Sequence, residues 1–453
     1  MAVRDNVTDL LDISQWKLTP YQILAAGFAG LIIAGAALLA TPLASATGEP
    51  LRFIDALFTA TSAVCVTGLV VADTGTRFSL FGQIVIVLLI QAGGLGIMTM
   101  ATLMALLMGK KINLRERLII QEAMNQLTVA GVVRLTRYII KATLLIEFIA
   151  GTILAVRFYQ DYGVKGIYFG YWHAVSAFCN AGFDLFGEYR SLTGYVDDLT
   201  VNLVISALII LGGIGFSVMA DVWENRRFRD YSLHSKLVLT VTAFLITFGA
   251  VVIFAFEQDN PATLGPLSWD GKILASYFQS VTTRTAGYNT VPIGEMGNAA
   301  LFFIVILMFI GASPGSTGGG VKTTTAGLLA AAIWALVRGR EDVEIFERSL
   351  SRSIIYKAFA LVFIAALLVI VVTMILCVSE SAPFLNILFE VVSAFGTVGL
   401  STGITPDLSV TGKLWIILTM FAGRVGPITL ALALALRQRK AMVKYPEGKV
   451  IIG

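Results

Sequence analysis

The sequence predicts an all-α integral membrane protein of four pseudo-repeats, each a helix, a re-entrant half-helix and a second helix. Three observations carry this: composition, an alternation of long and short apolar runs, and glycines recurring in register four times. Of 453 residues, 57% are hydrophobic and 14% charged, with a mean hydropathy of +0.81. Soluble globular chains carry about 25% charged residues, so this chain lacks the polar surface to remain in water. Composition thus excludes a soluble enzyme, a secreted disulfide scaffold and a disordered protein. Cys65, Cys179 and Cys377 are odd in number and lack zinc-site spacing, and His173 and His234 are too far apart for a metal site without other ligands.

Long apolar runs fall at 21–41, 80–108, 138–158, 199–223, 236–256, 299–336, 355–376 and 412–436. Each can cross a hydrocarbon core of roughly 30 Å, so eight spanning helices are expected. The first run ends in small residues, Leu43-Ala44-Ser45-Ala46, as a secretory signal does. It exceeds the roughly 7–15 apolar residues of a signal core and reads as a retained helix. Shorter apolar runs at 51–64, 168–179, 269–283 and 383–395 lie between the long ones. They suit interfacial or buried helices, or half-helices that line a wet cavity at membrane depth.

The long–short–long rhythm occurs four times. Gly68, Gly182, Gly287 and Gly399 follow the short runs at intervals of about a quarter of the chain. At one fixed offset upstream stand Phe58, Trp172, Tyr277 and Phe389, and at another Ser62, Ser176, Val281 and Ser393. Leu69, Phe183, Tyr288 and Leu400 come directly after. A second register lies in the following long runs: Gly93, Gly212, Gly311 and Gly423, then Gly96, Gly215, Pro314 and Gly426.

Charge sets the expected orientation. Basic clusters follow the second helix of each repeat: Lys110, Lys111, Arg115 and Arg117; Arg226, Arg227 and Arg229; Arg338 and Arg340; Arg437, Arg439 and Lys440. With the leader and tail, one side holds most of the 33 lysines and arginines, and the positive-inside rule makes that side cytoplasmic. Both termini are then cytoplasmic and the half-helices enter from outside. The expected divisions are a leader, 1–19; a first repeat, 20–109; a cytoplasmic connection and second repeat, 110–225; a third repeat, 226–339, with a glycine-rich loop at 311–322; a fourth repeat, 340–440; and a tail, 441–453. Glu341, Asp342, Glu344 and Glu347 mark a solvated surface.

A half-helix entering from outside points its carbonyl end, worth roughly −0.5 of an elementary charge, at the membrane centre. Four such ends around one central pore suit a cation that sheds its water. Val66-Thr67-Gly68, Asn180-Ala181-Gly182, Thr285-Ala286-Gly287 and Thr397-Val398-Gly399 are short stretches whose carbonyls can replace a hydration shell. No acidic ring occurs there; Asp55, Asp73, Asp184, Asp270, Glu295 and Asp407 lie on the outer side, as solvated loop acids or as charges that gather cations.

The third repeat departs from the pattern. Gly311-Ala312-Ser313-Pro314-Gly315-Ser316-Thr317-Gly318-Gly319-Gly320 cannot continue a helix. The GSTGGGVKT segment has one residue too many for a phosphate loop and no strand before it. A helix break packed against protein fits this segment. Arg424, within the last span, is a costly charge and hence a functional candidate, or a tie for loop carbonyls. Arg284 is expected to turn away from the axis and anchor its loop. Glu147 has no evident partner.

With SAVCVTGL, SAFCNAGF, SVTTRTAGY and SAFGTVGL in order, the chain resembles the Trk/Ktr/HKT superfamily of potassium transporters from about residue 20 onward. GGVKT, GRVGP and Lys444-Tyr445-Pro446-Glu447 make it most similar to the Ktr membrane subunit. The resemblance implies K⁺ uptake through a filter of the twelve residues above, K⁺ being held at Gly68, Gly182, Gly287 and Gly399. Serine at the first glycine shifts some plant relatives toward Na⁺, so Gly68 favours K⁺. It also implies gating by the 311–320 loop, and an Arg424 that projects below the filter. Further implications are a homodimer in the lipid of a prokaryotic plasma membrane, and a cytoplasmic ring of nucleotide-binding regulatory subunits docked on 110–141 and 226–236. Nucleotide would be bound only by that partner. No covalent cofactor and no nucleic acid is expected, and Na⁺ is a candidate activating or coupling ion. A Trk-type or Na⁺-conducting subunit is the alternative within transport. An intramembrane enzyme would need a paired acid, a Ser/His set or a metal motif, and none is found.

Overall fold

The computed structural model describes residues 20–96, 132–340 and 342–426, together with Thr429. The leader, most of the first connection with its Lys110, Lys111, Arg115 and Arg117 cluster, Glu341, and nearly all of the chain beyond Gly426 lie outside the described residues.

The first repeat contains α1 (Pro20–Leu39), the half-helix α2 (Phe53–Val64) and α3 (Leu80–Leu95). The second contains α4 (Val132–Tyr162), the half-helix α5 (Val164–Phe178), α6 (Leu199–Ile214) and α7 (Phe216–Glu224). The third has α8 (Leu233–Glu257), the half-helix α9 (Trp269–Thr282), α10 (Asn298–Phe309) and α11 (Thr323–Val337). A hairpin of β1 (Glu344–Ile345) and β2 (Arg348–Ser349) precedes the fourth, made of α12 (Arg352–Ser379), the half-helix α13 (Phe384–Gly396) and α14 (Val410–Val425). The hairpin occupies the segment read as solvated surface, with Phe346 and Glu347 left-handed at its turn.

Burial separates inner from outer helices. The half-helices end in unbroken buried stretches, such as Thr59–Val64 in α2 and Phe389–Gly396 in α13. By contrast, α12 exposes Phe359, Phe363, Leu367, Ile370 and Met374 at helical spacing. Such a face is stable against lipid and not against water. Exposed Trp223 and Trp334 near one set of helix ends, and Trp269 at the other, suit the two membrane interfaces.

The eight expected spans divide into two kinds. Four described helices are long and apolar enough to cross alone: the first helix of each repeat. The second helices break. Helix α3 stops at Gly96, α6 at Gly215 and α14 at Gly426, with φ of 84°, 94° and 92°. After Gly215 the chain turns by 97° into α7. Hydropathy runs on through these points, but a glycine in a left-handed conformation ends the helix. In the third repeat Pro314 holds the corresponding place, and a loop replaces the single-residue break.

The earlier glycine of each second helix explains where it sits. A Cβ on Gly93 would collide with the Val64 carbonyl, one on Gly212 with that of Phe178, and one on Gly423 with that of Phe395. Each second helix thus lies directly against the carbonyl end of its own half-helix. Gly311 packs instead on Gly319 and Gly320 of its own loop.

Candidate functional site: a fourfold backbone ring and the loop below it

The end of each half-helix is tied by one local device. After the last turn, Thr67 N–H donates to the Ser62 carbonyl and Ala181 N–H to the Ser176 carbonyl. Val398 N–H donates likewise to the Ser393 carbonyl, all at 2.8 Å. The serine hydroxyls hold the exit: Gly68 N–H donates to Ser62 Oγ at 3.0 Å and Gly399 N–H to Ser393 Oγ at 3.1 Å, while Ser176 Oγ donates to the Phe183 carbonyl at 2.9 Å.

The third repeat is one residue shorter here. Ala286 N–H bonds to the Thr282 carbonyl at 3.0 Å, and Thr282 Oγ1 donates to the Tyr288 carbonyl at 2.6 Å. Thr282 is therefore the structural counterpart of the serines, not Val281 as fixed spacing implies. The same slip makes Phe278, fully buried like Phe58 and Phe389, the counterpart of those aromatics in place of Tyr277.

The backbone repeats its conformation four times. Val66, Asn180, Thr285 and Thr397 have φ of 51°, 57°, 67° and 50°, and the glycines Gly68, Gly182, Gly287 and Gly399 have 92°, 68°, 80° and 91°. Left-handed valine and threonine are strained, at about 1–3 kcal/mol each. That strain is held by the surrounding bonds.

The glycines close a ring. A Cβ on Gly68 would lie 2.5 Å from the Ala181 carbonyl oxygen, one on Gly182 2.6 Å from that of Ala286, and one on Gly287 2.5 Å from that of Val398. A Cβ on Gly399 would collide with the Thr67 carbonyl. Each repeat thus presents the carbonyl before its own glycine to the glycine of the preceding repeat. Thr67, Ala181, Ala286 and Val398 are all fully buried. The four glycines and the residue before each, eight of the twelve read from the sequence, therefore close on one another.

Outside the ring is a cavity of about 340 Å³ that touches all four glycines, with Asp184 its only carboxylate. Burial pushes the Asp184 carboxyl up to about 7, with the Asp73 charge adding to the rise; N–H donation from Phe186 and Gly187 and the Arg190 charge oppose it. Asp55 is instead committed to Lys413 at 2.7 Å, joining α2 to α14.

Beneath the ring, on the side away from the cavity, lies the 311–320 loop. It is tied to itself by Gly311 N–H to the Val321 carbonyl, 2.8 Å, and by Ser313 Oγ to Thr323 Oγ1, 2.8 Å. It reaches the second repeat through Ser313 N–H to the Gly213 carbonyl, 3.0 Å, and Phe216 N–H to the Gly315 carbonyl, 3.0 Å. Thr317 Oγ1 meets Asn180 Oδ1 at 3.3 Å, and Gly319 N–H donates to Thr397 Oγ1 at 3.0 Å. A Cβ on Gly318 would strike Thr285 Oγ1. The loop therefore sits directly beneath three quarters of the ring, in contact with the left-handed residues themselves.

Arg424 completes the layer, donating to the carbonyls of Thr317 and Gly93, and to that of Gly94 at 3.2 Å. Lys322, which the sequence reading passed over, donates from Nζ to the Gly318 carbonyl at 2.8 Å. Its place at the end of the glycine run was the available signal. Arg284 does not serve as the expected anchor: its terminal nitrogens have no hydrogen-bond partner among the described residues. The anchor is its carbonyl, which accepts from Asn180 Nδ2 at 3.2 Å. Glu147 does find a partner, accepting from Gln91 Nε2 at 3.3 Å.

Four half-helices ending in a ring of carbonyls, inside a bundle with lipid-facing helices, define a multi-pass membrane protein built to pass a cation. A family model described as TrkH, cation transport protein, matches residues 19–444, and the chain belongs to that family. It is 47% identical over 443 residues to the Ktr system potassium uptake protein B of Bacillus subtilis, covering 97% of this chain and 98% of the relative. It is 42% identical over 444 residues to the potassium/sodium uptake protein NtpJ of Enterococcus hirae, covering 96% and 98%. The crystal structure of the potassium transporter TrkH from Vibrio parahaemolyticus shares the fold, with a TM-score of 0.74 at 17% identity, over 94% of this chain and 86% of that one.

Proposed function

We propose that this chain is the ion-translocating subunit of a Ktr-type potassium uptake system. The observation that carries it is the closed ring: four left-handed glycines, each without room for a Cβ and each against the next repeat's carbonyl. Backbone oxygens on one axis can replace the water of a monovalent cation. Gly68, Gly182, Gly287 and Gly399, with the two residues before each, form the filter. The 311–320 loop is the gate, held shut by Arg424. The likeness to proteins named for potassium uptake supports K⁺ as the cargo.

The subunit works as a homodimer in a prokaryotic plasma membrane, with both termini cytoplasmic. Exposed Arg226, Arg227 and Arg229 support that orientation. They also support docking of a regulatory ring that binds the nucleotide. A second reading is K⁺ uptake coupled to or activated by Na⁺, favoured by the relative named for both ions.

The test is flux into liposomes holding the purified protein, with K⁺ and Na⁺ supplied in turn. K⁺ flux that exceeds Na⁺ flux supports the proposal. Equal flux of both ions overturns it, and flux of neither after the loop is shortened overturns the gating role of the loop.

A further inference from the structure

One position of the half-helices is polar and fully enclosed in all four repeats. It lies three residues before the hydroxyls Ser62, Ser176, Thr282 and Ser393, and is occupied by Thr59, His173, Gln279 and Glu390, each 0% exposed. Leaving such a group unpaired costs about 1–3 kcal/mol, so its partners are informative. Thr59 returns its hydroxyl to the Asp55 carbonyl of its own helix at 2.9 Å. The other three reach the segment that follows the glycine.

Leu185 N–H donates to His173 Nε2 at 3.3 Å. His173 Nδ1 lies 2.7 Å from the Phe169 carbonyl, so the two bonds together select a neutral ring with its proton on Nδ1. The ring stacks on Phe186 at 4.5 Å between centroids. Gln279 Nε2 makes one long contact with Thr290 Oγ1, at 3.5 Å, and its Oε1 is unpartnered among the described residues. Glu390 accepts from Ser401 Oγ at 2.9 Å and from Thr405 Oγ1. Ser401 and Thr405 both line the outer cavity with Gly399.

We infer that His173, Gln279 and Glu390 are positioning residues that hold the outer mouth of the pathway and set its discrimination between cations, Glu390 most strongly. The inference rests on reading the glycine ring as the filter. A carboxylate has acceptor sites for both hydroxyls at once, and Thr405 Oγ1 also lies 3.0 Å from Ser401 Oγ, so the three groups form one network. The fourth quarter of the mouth is thus held by two side-chain bonds, the second by one and a stacked ring, the third by one long bond. The first quarter has no such tie.

The experiment measures the apparent KM for K⁺ and the K⁺-to-Na⁺ preference in liposomes, at matched protein amounts, for wild type, Glu390→Gln, Glu390→Leu and Thr405→Val. Glu390→Leu removes both acceptors; Glu390→Gln keeps one. The expected result is a loss of K⁺ preference of about tenfold in Glu390→Leu, as for loss of a bond to a charged group. Glu390→Gln and Thr405→Val should fall between it and wild type. Wild-type preference in Glu390→Leu overturns the inference. If Glu390→Leu fails to fold, Thr405→Val decides, and wild-type preference there overturns it equally. Gly68→Ser in the same assay separates the two readings: if it shifts selectivity and the Glu390 variants do not, only this inference fails.

Discussion

Arg424, in the last helix of the fourth repeat, donates a hydrogen bond to the main-chain carbonyl of Thr317, in the loop of the third. The same guanidinium reaches the Gly93 carbonyl in the first repeat. One side chain thus ties three quarters of the molecule together below the ring, through oxygens that a gate would have to release.

Replacing Arg424 with alanine is expected to raise K⁺ flux by about tenfold or more, since each charge-assisted bond contributes roughly 1.5–3 kcal/mol. Deleting residues 314–319 should raise it further by removing the loop that Arg424 holds. Flux into liposomes checks both. A well-folded deletion variant that passes no K⁺ would assign the loop a structural role.

Gly68→Ser adds a side chain where φ is +92° and the Ala181 oxygen stands 2.5 Å from the new Cβ. The ring must distort, and a loss of about 1.4 kcal/mol in discrimination would appear as tenfold lower K⁺-over-Na⁺ preference. Competition uptake in a transport-deficient host measures it. Unchanged kinetics for both ions would count against a filter role.

Acidity should act at the outer cavity. Because burial pushes the Asp184 carboxyl up to about 7, it is neutral below that pH and charged above it. K⁺ uptake at low external K⁺ should rise as external pH passes upward through about 7. Stability has the opposite sign: the contribution of this group is complete below its ordinary value of 3.8 and is lost as pH rises through about 7. Asp184→Asn should flatten the uptake profile at the acid level. An unaltered profile in that variant would place the titration elsewhere.

Helix contact predicts a contrast between two glycines. Gly212→Ala drives a methyl into the Phe178 carbonyl, whereas a Cβ on Gly30 meets nothing within 4 Å. Thermal unfolding in detergent should show Gly212→Ala destabilised by about 1–3 kcal/mol. Gly30→Ala should be unchanged or slightly stabilised, because alanine favours a helix by up to about 1 kcal/mol.

Much of this arrangement was legible in the chain because it depends on residue type at short range. Gly68, Gly182, Gly287 and Gly399 announced the ring, since a close carbonyl and a positive φ both require glycine. Arg424 announced itself as a charge in an apolar run. The shortening at Thr282 was hidden, because a fixed offset assumes equal lengths and Val281 filled the expected place. The breaks at Gly96 and Gly215 were hidden too, as hydropathy does not register backbone conformation. Partners far along the chain, such as Gln91 for Glu147 or the Thr317 carbonyl for Arg424, exist only once the repeats close on one another.

The single loop of the third repeat limits how symmetric the molecule can be. The loop reaches Asn180, Thr285 and Thr397 beneath three quarters of the ring, so equal copies from the other quarters would need the same space. An assembly of four identical chains could not carry this loop without violating its own symmetry. Four linked quarters can, because each is free to diverge. The shortened turn at Thr282 falls in the very quarter that carries the loop, so these two departures from fourfold order share one repeat.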